Sequence, residues 1–386
     1  MTISNKQSSV SYNILDVSVS LKSDSPEFLD MFERDYGWFR SDDCRLPIVD
    51  CRLKEHELSI TNHQSSIVNH QSSIANHQLF SLHGHPNKSK YAYQVILKKI
   101  FEKVRDFLLL HAGVVAKESD ALILAGPPGV GKSTMVLELL NKGFSFFSDD
   151  YCPIHIKTKL VHPFPRSLWI LPSCDADTEK HGKTIDSVRG EKKPIKPDEF
   201  IWPVSDTPCM AKWLICLDAG EQSAGTCMLS MFLKQGGDEV ISDLQKLDGV
   251  STENVRQGLP EWIICYPKGR ELTGKIRQLL EKHKHSIWNV YRVDSVCPDF
   301  EKQAVLTPIS AHEAAFRLMR DIKNKIASDT DSCQDISPAS PLNILMTLSE
   351  LIAGIPCYRL SVGRLESMRE LILELTNSKL KINSES

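Results

Sequence analysis

The sequence predicts a mixed α/β fold that is centred on one parallel strand–helix–strand unit, and three observations support this prediction. A short apolar run over residues 121–125 is typical of a buried strand. A glycine-rich segment and a helical pattern over 133–140 follow it, and Gly143 stands where a helix would end. A second strand-like run over 144–148 then leads into two aspartates. In a right-handed crossover of this kind, the carboxyl ends of both strands lie at the same edge of the sheet.

The glycine-rich segment fits G-x-x-x-x-G-K-[ST], the pattern of a phosphate-binding loop between a strand and a helix. Glycines let the backbone point successive N–H groups at one centre, and the N-terminus of the helix adds positive potential there. Lys132 can reach terminal phosphates, and the Ser133 hydroxyl can complete a Mg²⁺ shell. A glycine-rich turn that binds nothing is the alternative. The residues predicted to bind the phosphates of a nucleotide are Gly126, Pro127, Pro128, Gly129, Val130, Gly131, Lys132, Ser133 and Thr134.

Two adjacent aspartates, Asp149 and Asp150, follow the second strand. At this edge one carboxylate can help to hold Mg²⁺, while the other can accept a proton from an attacking hydroxyl. His111 is the third candidate. If residues 117–120 form a hairpin turn, the strand register places His111 opposite Gly126, at the mouth of the loop. A solvated Asp-Asp turn and a packed histidine are the alternatives.

Residues after the aspartates could also take part in the site. Arg166 can stabilise charge on a transferred phosphoryl group, although an exposed loop arginine is the alternative. His155 and His162 lie in strand-like segments and are predicted to be structural. The polar, basic stretch 179–197 indicates a flexible surface loop, or a lid over the substrate.

Together these segments resemble the HPr kinase/phosphorylase superfamily, P-loop kinases related in fold to ATP-dependent phosphoenolpyruvate carboxykinase. The likeness covers Leu110-His111, the phosphate loop and the strand that ends in Asp149-Asp150, with Pro165-Arg166 as a weaker match. The stretches Ile-Ser-Ala-His-Glu-Ala at 309–314 and Ile-Pro-Cys-Tyr-Arg-Leu at 355–360 resemble the tails of HPr-kinase-related proteins.

This resemblance implies a P-loop kinase core of the HPr kinase/phosphoenolpyruvate carboxykinase type, with Mg²⁺ and ATP. The reaction it implies is transfer of the γ-phosphate to a serine hydroxyl, with Asp149 as the base. The arginine-rich segment that HPr kinases have after the paired aspartates has no counterpart in this sequence. The acceptor is therefore expected to be a serine-containing protein, peptide or small molecule, and relatives often form homo-oligomers. The predicted catalytic residues are His111, Lys132, Asp149 and Arg166, and the predicted metal ligands are Ser133 and Asp150.

Two other functions stay open on the sequence. Gly-Pro-Pro-Gly-x-Gly-Lys-Ser is common in AAA-like ATPases, in which Asp218 at the end of the apolar run 213–218 would be the distant acidic residue. Ala219 stands where such ATPases have a second acidic residue, so this match is incomplete. The chain could also be a sensor that holds ATP without transferring phosphate.

Composition narrows the partners and the cellular location. Among 386 residues, 46 basic and 49 acidic side chains give a net charge of −3, which argues against nucleic acid or a membrane surface as partner. Eleven cysteines occur without a C-x-x-C pair, as expected of reduced thiols in a cytoplasmic protein. We find no apolar run of transmembrane length and no signal peptide at the polar N-terminus.

The first predicted domain, residues 1–88, is a small α+β unit. It has strands over 9–20 and 44–60 and a helix that starts at Ser25-Pro26. Residues 62–78, in which Asn-His-Gln recurs, are predicted to be a low-complexity loop insertion that is poor in core-forming residues.

The second predicted domain, residues 89–327, is the P-loop kinase domain. It starts with an amphipathic helix over 90–110, has another helix near 274–284, and ends with a helix from Ser310 to about residue 326. Residues 328–386 are predicted to be a linker and a helical C-terminal region that packs on the core.

Overall fold

The computed structural model describes residues 8–42, 49–54, 57–63, 75–82, 88–127, 129–170, 193–218, 226–234, 237–254, 261–267, 269–292, 300–323 and 341–377. These residues form a mixed α/β structure, which confirms the predicted fold class at this level. None of the helices in these ranges is long and apolar enough to cross a membrane.

The N-terminal part is a five-stranded sheet with one helix in its first crossover. Its elements are β1 (Ser8–Ile14), β2 (Val17–Ser23), α1 (Pro26–Tyr36), β3 (Val49–Lys54), β4 (Glu57–His63) and β5 (Ala75–Ser81). The strands follow one another in sequence order, and β2 pairs parallel to β3 because α1 connects them. Ser25 caps α1 by accepting the Phe28 N–H at 3.3 Å, as the sequence predicts. Phe28 and Phe32 of α1 are buried in the core of this unit, and the next helix, α2 (Lys88–Phe101), belongs to the same unit because it contributes Tyr93 to that core.

The Asn-His-Gln repeat is partly strand. Asn62 of β4 lies opposite Asn76 of β5, and Thr61 lies opposite His77. The loop prediction is therefore wrong for residues 62–63 and 75–78, where pairing of the two strands satisfies backbone groups that a loop would leave to water. Residues 64–74 lie outside the described part of the chain.

The helix predicted over 90–110 is two elements, α2 (Lys88–Phe101) and the strand β6 (Phe107–Leu110). The prediction is wrong after Phe101. The Asp16 carboxylate accepts the N–H groups of Arg105 and Asp106 at 2.7 and 3.0 Å and so stabilises a turn between the two elements. Every residue of β6 is buried, and a fully apolar run fits a central strand as well as a helix.

The central sheet contains the segment with the glycine-rich loop. The elements between β6 and residue 218 are β7 (Ala112–Lys117), β8 (Asp120–Ala125), α3 (Lys132–Leu140), β9 (Ser145–Ser148), β10 (Cys152–His155), β11 (Leu160–Val161), β12 (Leu168–Ile170), β13 (Lys193–Ile195) and β14 (Cys209–Asp218). The strand order is β6-β10-β11-β14-β8-β7-β9. Strands β12 and β13 are not part of the central sheet and pair with each other as a separate antiparallel pair. Residues 193–195, near the end of the predicted loop 179–197, form the strand β13. Residues 171–192 lie outside the described ranges.

The strand directions place three carboxyl ends at one edge. Ala116 faces Ala121 and Ala112 faces Ala125, which confirms the predicted hairpin register. Strands β8 and β9 both run antiparallel to β7, and β14 runs parallel to β8. The ends of β8, β9 and β14 therefore meet at the edge where the glycine-rich loop begins.

A second sheet with its own core follows β14. Its elements are β15 (Thr226–Leu233), α4 (Asp238–Gln245), β16 (Ser251–Asn254), β17 (Glu261–Pro267), α5 (Arg270–Lys282) and β18 (Ile287–Arg292). Its order is β16-β17-β15-β18, with antiparallel neighbours throughout, which is a βαββαβ unit of ferredoxin-like topology. The predicted helix near 274–284 is α5. The core of this unit includes Met231, Val240 and Ile264.

The C-terminal part returns to the central sheet. Its elements are β19 (Leu306–Ile309), α6 (Ala311–Leu318), α7 (Pro341–Ile352), β20 (Cys357–Ser361) and α8 (Leu365–Asn377). Strand β20 pairs parallel to β14, and β19 pairs with β20. Helices α6 and α7 share one hydrophobic cluster with the sheet, and α3 and α8 share another. The helical C-terminal region predicted within residues 328–386 thus consists of α7 and α8, with β20 between them.

Ser310 caps α6 by accepting the Glu313 N–H at 3.1 Å, as predicted, but the helix is shorter than expected. It ends at Leu318 and continues as a 3₁₀ turn to Asp321. The chain leaves the helix there because Ile322 forms a β-bridge with Leu110. This places Asp321 beside the residue that follows β6.

Candidate nucleotide-binding site

The glycine-rich loop has a backbone that requires glycine. Gly126, Gly129 and Gly131 have φ angles of 156°, 84° and 94°. A Cβ atom at Gly126 would lie 3.0 Å from the Leu217 carbonyl oxygen, in the neighbouring strand. The glycines therefore allow a loop conformation that other residues would not adopt without strain. The loop follows the end of β8, and α3 starts directly after Gly131. Pro128 lies outside the described residues.

Lys132 is buried and faces its own loop. The residue is only 7% exposed. Its Nζ donates to the carbonyl oxygens of Gly126 and Pro127 at 2.8 and 3.2 Å. Burial lowers the pKa of Lys132, while the negative charges of Asp321 and Asp150 act in the opposite direction. These two carbonyl contacts leave the ammonium group at the loop, where a phosphate would compete for it.

Ser133, in the first turn of α3, contacts Asp149, which directly follows β9. The Ser133 hydroxyl donates to Asp149 Oδ2 at 2.9 Å, and Asp149 is 4% exposed. Val130 is buried at the base of the loop, and Thr134 lies in the first turn of α3. The expectation that the loop and the paired aspartates converge is therefore met for Asp149.

Asp150 is the more open of the two carboxylates, with 40% of its side chain exposed. Its Oδ2 lies 3.4 Å from a terminal nitrogen of Arg166. Its backbone carbonyl accepts a hydrogen bond from His111 Nδ1 at 2.9 Å. The two aspartates thus differ in what they contact, since one bonds the loop serine and the other faces an arginine and solvent.

His111 lies directly after β6 and before β7, next to the Ala112–Ala125 pair, so the register prediction puts it at the correct edge. A carbonyl oxygen only accepts, so Nδ1 bears the proton and Nε2 is an acceptor when the ring is neutral. Burial, together with the positive charges of Lys132 and Lys323, lowers the pKa of His111 to about 4. At neutral pH the ring is therefore uncharged.

Arg166 is buried, with 8% exposure, so it is not an exposed loop arginine. In addition to Asp150, it lies 3.5 Å from Asp35 Oδ2 and 3.0 Å from the Tyr93 hydroxyl. Asp35 belongs to α1 and Tyr93 to α2, so the N-terminal unit reaches the site through this arginine. Sequence reasoning missed both residues, because nothing local marks them and Tyr93 falls within an apolar helix stripe.

Asp321 is a third carboxylate near the loop and, like Asp149, it is buried; sequence reasoning missed it as well. Its residue is 7% exposed, and its backbone carbonyl accepts the His111 N–H at 2.7 Å. Its charge is the strongest of those that favour the protonated form of Lys132. The predicted continuation of α6 to residue 326 hid this position, because it placed Asp321 inside a helix.

Asp218 also lies at the same edge of the sheet. Cys216 of β14 pairs with Ala125 of β8, so Asp218 extends just past the start of the loop. Its carboxylate accepts from a terminal nitrogen of Arg317 at 3.3 Å. The loop serine, however, donates its hydroxyl proton to Asp149.

His155 and His162 lie elsewhere. Their rings stack with centroids 5.8 Å apart, and both contact Phe107. His155 pairs with Phe107, whereas Cys152 at the other end of β10 pairs with Leu110, beside His111. This is the structural role predicted for both histidines.

The site residues supply oxygen ligands, a buried cation and backbone N–H groups at one sheet edge. Among the described residues, no group of three or more histidine, cysteine or acidic side chains is placed to hold a metal by itself. Comparison with known protein families finds no match, and no curated protein is significantly similar to the chain.

Proposed function

We propose that the protein is an ATP- and Mg²⁺-dependent kinase that transfers the γ-phosphate to a serine hydroxyl of a protein, peptide or small molecule. The core would be a P-loop kinase core of the HPr kinase/phosphoenolpyruvate carboxykinase type. The main support is the hydrogen bond of 2.9 Å between Ser133 and Asp149, with Asp150 adjacent and open to solvent.

The glycine-rich loop would bind the phosphates of ATP. Three glycines with positive φ allow the loop N–H groups to converge, and the start of α3 adds positive potential. Lys132 would exchange its two carbonyl contacts for phosphate oxygens. Its burial strengthens this attraction, because a charge pair interacts more strongly away from water.

The residues at the loop fit Mg²⁺. This ion prefers oxygen ligands, keeps several waters and takes one or two carboxylates together with substrate phosphates. Ser133 and Asp149 offer a hydroxyl and a carboxylate that already contact each other, and phosphate oxygens and waters would supply the remaining ligands. When bound, the ion would neutralise charge on the phosphates.

The geometry favours a division of roles opposite to the one the resemblance implies. Asp149 is buried and bonded to Ser133, so it fits the metal side of the site. Asp150 is more exposed, so an acceptor hydroxyl can approach it and transfer its proton there. Neutral His111 holds the backbone of Asp150 through Nδ1, and Arg166 holds its carboxylate.

This division can be tested with two matched variants. Asp149→Asn should abolish the gain in ADP affinity that Mg²⁺ gives to the wild type, measured by calorimetry with and without the metal. Asp150→Asn should keep that gain and lose roughly 10²- to 10⁴-fold in kcat, the range for removing a general base. If Asp150→Asn loses the Mg²⁺ effect while Asp149→Asn keeps it, the roles are those implied by the resemblance.

A P-loop ATPase that uses Asp218 is the second candidate, because Asp218 lies at the same edge as the loop. Two observations weigh against it: Arg317 neutralises Asp218, and Ser133 bonds Asp149 instead. A non-catalytic ATP sensor would bind ATP and phosphorylate nothing.

The function itself is tested by incubating the protein with γ-labelled ATP and a native extract, or with free serine and serine-containing peptides. We expect label in phosphoserine, identified by mass spectrometry, and none with Lys132→Ala. Nucleotide binding with no labelled product from any acceptor would favour the sensor.

A further inference from the structure

We propose that Asp35 and Tyr93 of the N-terminal part are positioning residues of the candidate site, because they hold Arg166 against Asp150. This inference rests on the proposed kinase function. It adds a structural requirement that the sequence does not suggest, namely that α1 and α2 help to build the site.

The contacts form a continuous chain of charge-assisted hydrogen bonds. One terminal nitrogen of Arg166 lies 3.4 Å from Asp150 Oδ2, and the other lies 3.5 Å from Asp35 Oδ2. The Tyr93 hydroxyl bonds both partners of this ion pair: it accepts from Arg166 at 3.0 Å and donates to Asp35 at 2.5 Å. Burial raises the pKa of Tyr93, so the phenol keeps the proton that it donates.

Aromatic rings hold the guanidinium from its faces. Its central carbon lies 4.9 Å from the ring centroid of Tyr36 and 5.1 Å from that of Tyr151. Tyr36 is the last residue of α1, and Tyr151 directly follows Asp150. The guanidinium is therefore fixed between the N-terminal helices and the segment that contains the paired aspartates.

Asp35 is itself fixed and buried. It is 4% exposed, and its second oxygen accepts from Arg34 Nε at 3.1 Å. The Ser167 hydroxyl, next to Arg166, donates to the Arg34 carbonyl at 2.8 Å. A buried ion pair of this kind depends strongly on geometry, and removing one partner leaves an uncompensated charge. Loss of Asp35 should therefore release Arg166 and let Asp150 change position.

The test uses two variants, each with a matched control from the same N-terminal part. Asp35→Asn is compared with Asp16→Asn, which removes another hydrogen-bonded carboxylate of this part, one that accepts the Arg105 and Asp106 N–H groups in the turn before β6. Tyr93→Phe is compared with Tyr12→Phe, which removes a phenol bonded to Glu33 at 2.7 Å. The milder Tyr93→Phe keeps the inference testable if Asp35→Asn does not fold.

We expect Asp35→Asn and Tyr93→Phe to lower kcat by roughly 10- to 100-fold, the usual effect of losing a partner of a site residue. The KM for ATP should change less than about threefold, because the contacts of Lys132 and Ser133 are untouched. Both controls should keep the wild-type kcat. In an Asp150→Asn background, the effect of Tyr93→Phe should disappear, because the two act through one arginine.

Equal kcat losses in Tyr93→Phe and Tyr12→Phe would overturn the inference, since they would indicate a general role in stability. So would a Tyr93→Phe effect that is unchanged in the Asp150→Asn background. If the wild type transfers no phosphate, the proposed function fails, and hydrogen exchange decides the positioning role. Faster exchange of the 149–152 amides in Tyr93→Phe but not in Tyr12→Phe would support it, and unchanged exchange would refute it.

Discussion

At the scale of single residues, the candidate site is a set of buried polar groups whose charge states are set by their surroundings. His111 shows this most clearly, because it lies between Lys132 and the backbone of Asp150 and is mostly shielded from water. In the neutral ring the proton on Nδ1 serves the bond to the Asp150 carbonyl, and Nε2 is an acceptor. Protonation would place a second cation next to Lys132.

His111 therefore makes a testable contribution to stability against pH. Its pKa is about 4 in the folded protein and near 6.5 when unfolded, so below pH 6.5 the unfolded chain binds a proton that the folded one does not. The wild type should lose up to about 3 kcal/mol from this residue as pH falls from 7 to 4. Urea unfolding of the wild type and His111→Gln at both pH values measures this loss. A difference between the two proteins that stays constant with pH would contradict it.

Site residues that lie close together in the chain could be predicted from the sequence, whereas those that lie far apart in it could not. Lys132, Ser133 and Asp149 lie within one strand–helix–strand unit, so local pattern and handedness bring them together. Asp35 and Tyr93 reach Arg166 from distant helices, and no local pattern records such a contact. Only the packing of the N-terminal helices against the central sheet brings these residues to the site.

At the scale of elements, the approach of α3 to β7 depends on one glycine. A Cβ atom at Gly113 would lie 2.7 Å from the Val136 side chain and 3.4 Å from the Asp149 carbonyl. The absence of a side chain thus lets the helix that follows the loop pack closely on the hairpin strand. A side chain at this position would also crowd the backbone of Asp149.

We predict that Gly113→Ala destabilises the protein by about 1–3 kcal/mol, because overpacking forces α3 away from the strand. Gly274→Ala is the matched control, since Gly274 is exposed within α5 and a Cβ atom there would contact nothing within 4 Å. That change should stabilise the protein by roughly 0.5–1 kcal/mol through helix propensity. Urea unfolding measures both changes, and a neutral Gly113→Ala would contradict the packing account.

The errors in the predicted elements have physical causes. The apolar stripe over 90–110 continues without a break in hydrophobicity, but the Asp16 carboxylate stabilises a turn at Arg105 and Asp106. The helix from Ser310 stops early because Ile322 pairs with Leu110. In both cases a partner far along the chain overrides a local preference.

At the scale of the whole molecule, the central sheet is completed by the far end of the chain, while the unit over 226–292 is inserted between β14 and β19. Strand β20 pairs with residues 214–218 of β14, the part of that strand that reaches the sheet edge where the glycine-rich loop begins. The inserted unit, by contrast, has a hydrophobic cluster whose members, as far as the chain is described, all belong to the unit itself, including Met231 and Ile276. The two parts therefore depend differently on the rest of the chain.

We predict that residues 219–299 fold when expressed alone, since they have a complete βαββαβ unit with its own core. Circular dichroism should show mixed helix and strand, with a cooperative thermal transition. As the control, a chain that ends at residue 340 lacks α7, β20 and α8 and should fail to fold, because the central sheet loses an internal strand and two helices that pack on it. An unfolded 219–299 fragment would contradict the independence of this core.

The central claim is that the loop, Asp149 and Asp150 form one phosphoryl-transfer centre. It is tested most directly by measuring labelled phosphoserine from γ-labelled ATP in the wild type, Asp149→Asn, Asp150→Asn and Asp218→Asn. We predict product from the wild type and from Asp218→Asn, and at least a roughly 100-fold loss in the other two variants. Loss of activity in Asp218→Asn with full activity in Asp149→Asn would contradict the account.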